Sequence, residues 1–121
     1  MIIIFDCDRV LRSASWEGLY KAYIKIIEAY DKKYTDYFAD IESFKIWWHS
    51  DWHRNNEKLG IPLCKTDKIN MIFHEIYDPH IHLFKWAPEI LYKLYRKHLL
   101  TLLTGSAESS VRKFLGNMNK C

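Results

Sequence analysis

Two short, all but uninterrupted apolar runs govern what this chain can fold into. Ile2-Ile3-Ile4-Phe5 opens it, and Leu99-Leu100-Thr101-Leu102-Leu103 lies near the other end. Continuous rather than alternating apolarity predicts strands covered on both faces, as in a parallel sheet. Each run ends in polar residues: Asp6, Cys7 and Asp8 after the first, Thr104, Gly105 and Ser106 after the second. Burying a carboxylate without partners is costly, so two acids at a strand end predict delivery to something positively charged. In open α/β sheets ligands bind beyond the carboxyl ends of the strands, which makes the two tips expected neighbours.

Nearly everything between and after the runs reads as helix. Ser13 or Ser15 can N-cap a helix to about Lys33, with Leu19, Tyr23, Ile26, Ile27 and Tyr30 on one side. A second stretch, about Asp36 to Leu59, carries Phe38, Ile41, Phe44, Trp47, Trp48 and Trp52, and Gly60 and Pro62 stop it. Thr66 can cap a third, Asp67 to Tyr77, which Asp78-Pro79 ends. After a linker, His80 to Trp86, a fourth helix is expected from Pro88 to about Lys97, with Ile90, Leu91, Leu94 and Tyr95 inward. A last helix is expected from Ala107 to about Leu115. The order is that of a βαβ unit with a greatly extended crossover.

Composition narrows the function classes. A chain of 121 residues is one domain, or one domain with a small lobe. With 49% hydrophobic and 16% aromatic residues it is not a disordered tail. The net charge of +3 is mild and its basic residues are spread out, so no nucleic-acid partner is expected. Cys7, Cys64 and Cys121 are far apart, odd in number and form no CxxC pair, which points to a reducing, cytoplasmic compartment. The run Met1–Phe5 is too short for a signal h-region or a membrane span, and no membrane association is expected.

The acidic tip suits phosphate chemistry. Magnesium keeps several waters and takes one or two carboxylates plus substrate phosphate, a role open to Asp6 and Asp8. Asp6 can attack phosphorus, and Asp8, two residues on, can protonate the leaving oxygen and then deprotonate water. At the other tip the Thr104 hydroxyl and the amides of Gly105 and Ser106 offer a phosphate seat at a helix N-terminus. Plainer readings stand beside these: an acidic turn capping a strand, and Thr104-Gly105-Ser106 as a simple helix cap. Cys7 between the acids is expected to pack in the core. His49 and His53 have a zinc-compatible spacing without an evident third ligand, and the tryptophans of the second helix are expected to pack helices together.

FDCDRVL, a helical insertion, then LLTLLTGSAESSVRKFL together resemble the haloacid dehalogenase (HAD) superfamily, most closely its phosphoglycolate-phosphatase-type members. The first motif is matched by Asp6, Cys7, Asp8, Arg9, Val10 and Leu11, and the second by Leu102, Leu103 and Thr104 with Gly105 and Ser106 behind. The resemblance implies an α/β fold: a Rossmann-like HAD core with a partial parallel sheet, residues 1–14 and 85–121, and an inserted α-helical cap, residues 15–84. It implies Asp6 as nucleophile, Asp8 as acid/base, magnesium at Asp6 and Asp8 (the latter through its backbone carbonyl), and Thr104 holding the phosphoryl group. Arg9 stands where most of the family have glycine, offering either a cation for phosphate or a crowded turn. The lysine of the family's third motif and the acidic pair of its fourth find no match, and Lys113 and Lys120 are too near the second motif to serve. The expected function is a magnesium-dependent phosphatase acting on a small phosphorylated metabolite through an aspartyl phosphate. The alternative is an inactive HAD-like fragment or partner-binding remnant. Self-association through the uncovered sheet is a further expectation.

Overall fold

A computed structural model describes residues 1–106 and 108–118. The expected helix start at Ala107, and Lys120 and Cys121, lie outside the described residues. The chain forms two compact units, one of Met1–Ala14 together with the chain from Ile81 on, the other Ser15–His80.

The first unit is a small α/β layer. Strand β1, Ile2–Phe5, pairs in parallel with the strand at Leu99–Leu102, here β2, in the register Ile2↔Leu99 through Phe5↔Leu102. The ladder is extended at both ends, where Leu99 N–H donates to the Met1 carbonyl and Leu103 N–H to that of Phe5. Phe5, Leu100 and Leu102 pack on Leu11, Ala87 and Leu91, and the last two belong to the helix Ala87–Tyr95 that precedes β2. The opposite face is open: Ile2 and Ile4 are each 63% exposed and Leu99 62%. Burial therefore alternates along both strands, and the expectation of cover on both faces is corrected. A sheet needs a second layer to hide its other side, and the described residues supply one layer. The helix before β2 likewise buries a narrower stripe than expected, with Ile90 and Tyr95 exposed, because two strands give it little surface to cover.

The second unit is helical, with α1 (Trp16–Ala29), α2 (Ile41–Trp47), α3 (Trp52–Lys58) and α4 (Thr66–Tyr77); the helices of the first unit are then α5 (Ala87–Tyr95) and α6 (Glu108–Met118). Ser15 Oγ caps α1 by accepting from Gly18 N–H, and Leu19, Ala22, Tyr23, Ile26 and Ile27 form its buried stripe. It ends at Ala29, about one turn short of the expected Lys33, and Asp31 just beyond it is left-handed, φ 57°. Lys32 N–H reaches back to Ile27 and Asp31 N–H to Glu28, a Schellman closure. Helix α1 packs along α4, and an aromatic cluster centred on the fully buried Phe44 joins Trp16, Tyr20, Tyr23, Phe38 and Trp47.

The single helix expected from Asp36 to Leu59 is two. Trp48 turns extended after α2, and Asp51 starts α3 by accepting from His53 N–H. Buried Asn55 clamps the break: its Oδ1 accepts from His49 N–H and its Nδ2 donates to the His49 carbonyl. His49 and His53 thus do not share a helix face. Among the described residues no helix is long and apolar enough to cross a membrane.

Candidate active site

The acidic loop after β1 is a tight knot of backbone hydrogen bonds. The Cys7 carbonyl collects the N–H groups of Val10, Leu11 and Arg12, and Arg9 N–H donates to the Arg12 carbonyl at 2.8 Å. Arg9 closes the knot in the left-handed region, φ 63°, which most residues adopt only at a cost of about 1 kcal/mol and glycine adopts freely. Behind the loop, residues 11–13 pair with residues 82–84: Phe84 N–H donates to Leu11, Ser13 N–H to His82, and His82 N–H to Ser13 Oγ. That pairing places residues 81–84 with the α/β unit rather than in the helical insertion.

Asp6 and Asp8 end in different surroundings. Asp6 is exposed, and its Oδ1 accepts from Cys7 N–H at 2.7 Å. Asp8 is half-buried with both oxygens engaged: Oδ1 accepts from Arg12 Nε at 2.7 Å, and Oδ2 accepts from the Ser106 hydroxyl. The Ser106 N–H in turn donates to Thr104 Oγ1 at 3.1 Å. The tips of β1 and β2 therefore meet, through Asp8 and Ser106, with Thr104 one hydrogen bond further. Asp6, two residues before Asp8, faces solvent.

The second tip differs from expectation in one donor, while Cys7 packs in the core as expected. The Ser106 amide is taken by Thr104, so it is not a free donor in this arrangement. An added Cβ at Gly105 would meet nothing within 4 Å, so that glycine is not required by close approach. Cys7 is buried, and burial pushes its thiol pKa up, with Arg12 pulling the other way and Asp8 and Asp6 adding to the rise. A thiol kept protonated is a poor nucleophile.

Arg12 is the residue that motif reading missed. Its side chain is 1% exposed, and besides Asp8 it bonds the Ser110 hydroxyl of α6 at 3.0 Å. Its guanidinium lies over the Phe114 ring, 4.8 Å from the centroid. The only hint in the sequence is a charge set among residues that otherwise head for the core, four after Asp8.

Among the described residues no group of three or more His, Cys, Asp and Glu could hold a metal. No family model and no curated protein matches the chain. A search of solved structures finds a haloacid dehalogenase-like family hydrolase from Streptococcus pneumoniae, at 16% identity and a TM-score of 0.51, over 98% of this chain. The fold is HAD-like. The chain spans 55% of the length of that HAD-like protein. With a parallel β-pair, acidic tip first and hydroxyl tip second, the HAD-like topology puts both tips at one edge, which is where the side chains described above converge.

Proposed function

We propose that this chain carries the nucleophile half of a phosphomonoester hydrolase site. The observation that supports it best is the junction of Asp8 with Ser106 across the ends of two parallel strands, with Asp6 exposed two residues away. An oxygen of Asp6 bonds to phosphorus while the ester P–O bond breaks, and Asp8 gives its proton to the departing alkoxide. Water then attacks the aspartyl phosphate, Asp8 takes the water's proton, and inorganic phosphate leaves Asp6 free. Proton transfer of this kind contributes about 10²–10⁴ in rate. The Thr104 hydroxyl, which accepts from Ser106 N–H, keeps its own proton to donate to a phosphoryl oxygen.

The donor set fits magnesium in a limited way. Asp6 offers an exposed hard oxygen, whereas the Asp8 carboxylate is already held by Arg12, so the carbonyl of Asp8 is the donor that residue would lend. When bound with substrate, the ion would neutralise charge on the phosphoryl group.

A second reading, a HAD-like remnant that binds without turnover, draws support from the full engagement of Asp8 within the protein. Hydrolysis of p-nitrophenyl phosphate with magnesium separates the two. Turnover that Asp6→Asn abolishes, with a hydroxylamine-sensitive phosphoryl adduct on Asp6, is the expected result. Turnover surviving Asp6→Asn removes Asp6 as nucleophile, and no turnover by the wild type favours the remnant.

A further inference from the structure

A fully buried arginine is rare because its charge must be met on all sides. Arg12 is such a residue, and its neighbours come from two parts of the α/β unit, the acidic loop and α6. Nε reaches Asp8 Oδ1 in the acidic loop, Nη1 reaches the Ser110 hydroxyl on α6, and the flat guanidinium stacks on Phe114, also on α6. The loop's own backbone brings the pair together, since the left-handed Arg9 and the Arg9 N–H to Arg12 carbonyl bond fold position 12 back over position 8. From the other side the Ser106 hydroxyl fixes the second oxygen of Asp8. The carboxylate is thus clamped between a rigid planar donor anchored in a helix and the turn after β2. A planar fork of donors holds a carboxylate's orientation in a way an ammonium does not.

We infer that Arg12 is a positioning residue: it never meets substrate, and it fixes the Asp8 carboxylate at the strand tips for proton transfer. This rests on the reading of Asp6 as nucleophile and Asp8 as acid/base, and it makes a distinction within that reading. Acetyl phosphate carries a leaving group that departs as an anion. Its transfer to Asp6 forms one O–P bond, breaks another and releases acetate without needing a proton. The second step does need one moved, since water must lose a proton as its oxygen bonds phosphorus and the Asp6–phosphorus bond breaks. Misplacing Asp8 by altering Arg12 therefore slows loss of the phosphoryl group and spares its arrival.

The test treats the full chain, Arg12→Lys, Arg12→Gln, Asp8→Asn and the double variant Arg12→Gln with Asp8→Asn with acetyl phosphate and magnesium. Intact mass follows the adduct, and its decay is timed after acetyl phosphate is removed. The expected result is labelling near the wild-type rate in both Arg12 variants, with the adduct lasting about ten-fold longer or more, given what acid–base help contributes. Arg12→Gln adds nothing once Asp8 is Asn. A wild-type lifetime in both Arg12 variants overturns the inference and leaves Asp6 as nucleophile. Additive effects in the double variant overturn it too, since Arg12 then acts by another route. Absence of any hydroxylamine-sensitive adduct on the wild type overturns the reading of the site and the inference with it. Loss of the folded circular-dichroism signature in both Arg12 variants assigns the arginine to the fold alone and overturns the positioning role.

Discussion

At the scale of single residues, the acidic loop is a place where local conformation and chemistry compete. Arg9 occupies a left-handed backbone position with its side chain exposed, so little contact is lost if it is shortened. Arg9→Gly is expected to raise stability by about 0.5–1 kcal/mol, read as a higher urea midpoint with an unchanged slope, after allowing for the freedom glycine adds to the unfolded chain. Cys7 gives a second test. Its thiol is buried and its pKa is raised chiefly by that burial, while Cys64 is exposed. Iodoacetamide at neutral pH is expected to modify Cys64 and leave the peptide containing Cys7 intact, which peptide mapping will show; rapid alkylation of Cys7 would revive a thiol nucleophile. The meeting of the two strand tips, through Asp8 and Ser106, was legible because strand ends announce themselves by apolar runs that stop abruptly. Arg12 was not, since a lone arginine in sequence looks like surface charge until a turn folds it inward.

Helices and turns carry their own controls. Gly18 on α1 lies where an added Cβ would come 2.8 Å from His80 Cβ and 3.0 Å from a Tyr77 ring carbon. Alanine there would gain about 1 kcal/mol of helix propensity, but overpacking against a rigid neighbour costs about 1–3 kcal/mol. Gly18→Ala is expected to destabilise the helical unit by about 1 kcal/mol on balance, measurable by urea denaturation. At the start of α2, Asp40 accepts from the Ser43 hydroxyl at 2.6 Å and from the Ser43 N–H at 2.8 Å. The Ser43 hydroxyl bond, then the N–H bond, hold the Asp40 pKa below its ordinary value. A carboxyl lowered on folding contributes stability that is present above the unfolded value of about 3.9 and is lost as pH falls through the lower folded value. Replacing Asp40 by Asn should flatten that acid-side slope, which thermal melts across the acid range will reveal. The helix start at Ser15 and the stop near Gly60 follow residue chemistry that a reader of sequence can see, whereas α2 starts at Asp40, later than the expected Asp36. The break between α2 and α3 follows no such signal, because no Gly or Pro marks it; it is made by the Asn55 side chain binding the backbone of His49, a bond that exists only once tertiary packing brings them together.

For the molecule as a whole, the pairing of β1 with β2 was readable, whereas the cover over the sheet was misread. Unbroken apolarity predicts burial on two sides, yet Ile2, Ile4 and Leu99 remain largely in solvent. Apolar residues placed together on an open face bind hydrophobic dyes and invite association. Ile4→Thr with Leu99→Lys is expected to reduce anilinonaphthalene sulfonate fluorescence, and to leave a monomer by sedimentation if the expected self-association runs through this sheet. An unchanged dye signal would place the sticky surface elsewhere. The register Ile2↔Leu99 has one more outcome, for the order in which the chain matures. The helical unit is continuous in sequence and can assemble from nearby contacts, but β1 must wait for a mate made only after that whole unit. At synthesis rates of about 5–20 residues per second, that wait lasts roughly 5–20 s on a ribosome. A strand made before the helical unit is thus locked after it, and the acidic knot it leads into is born late.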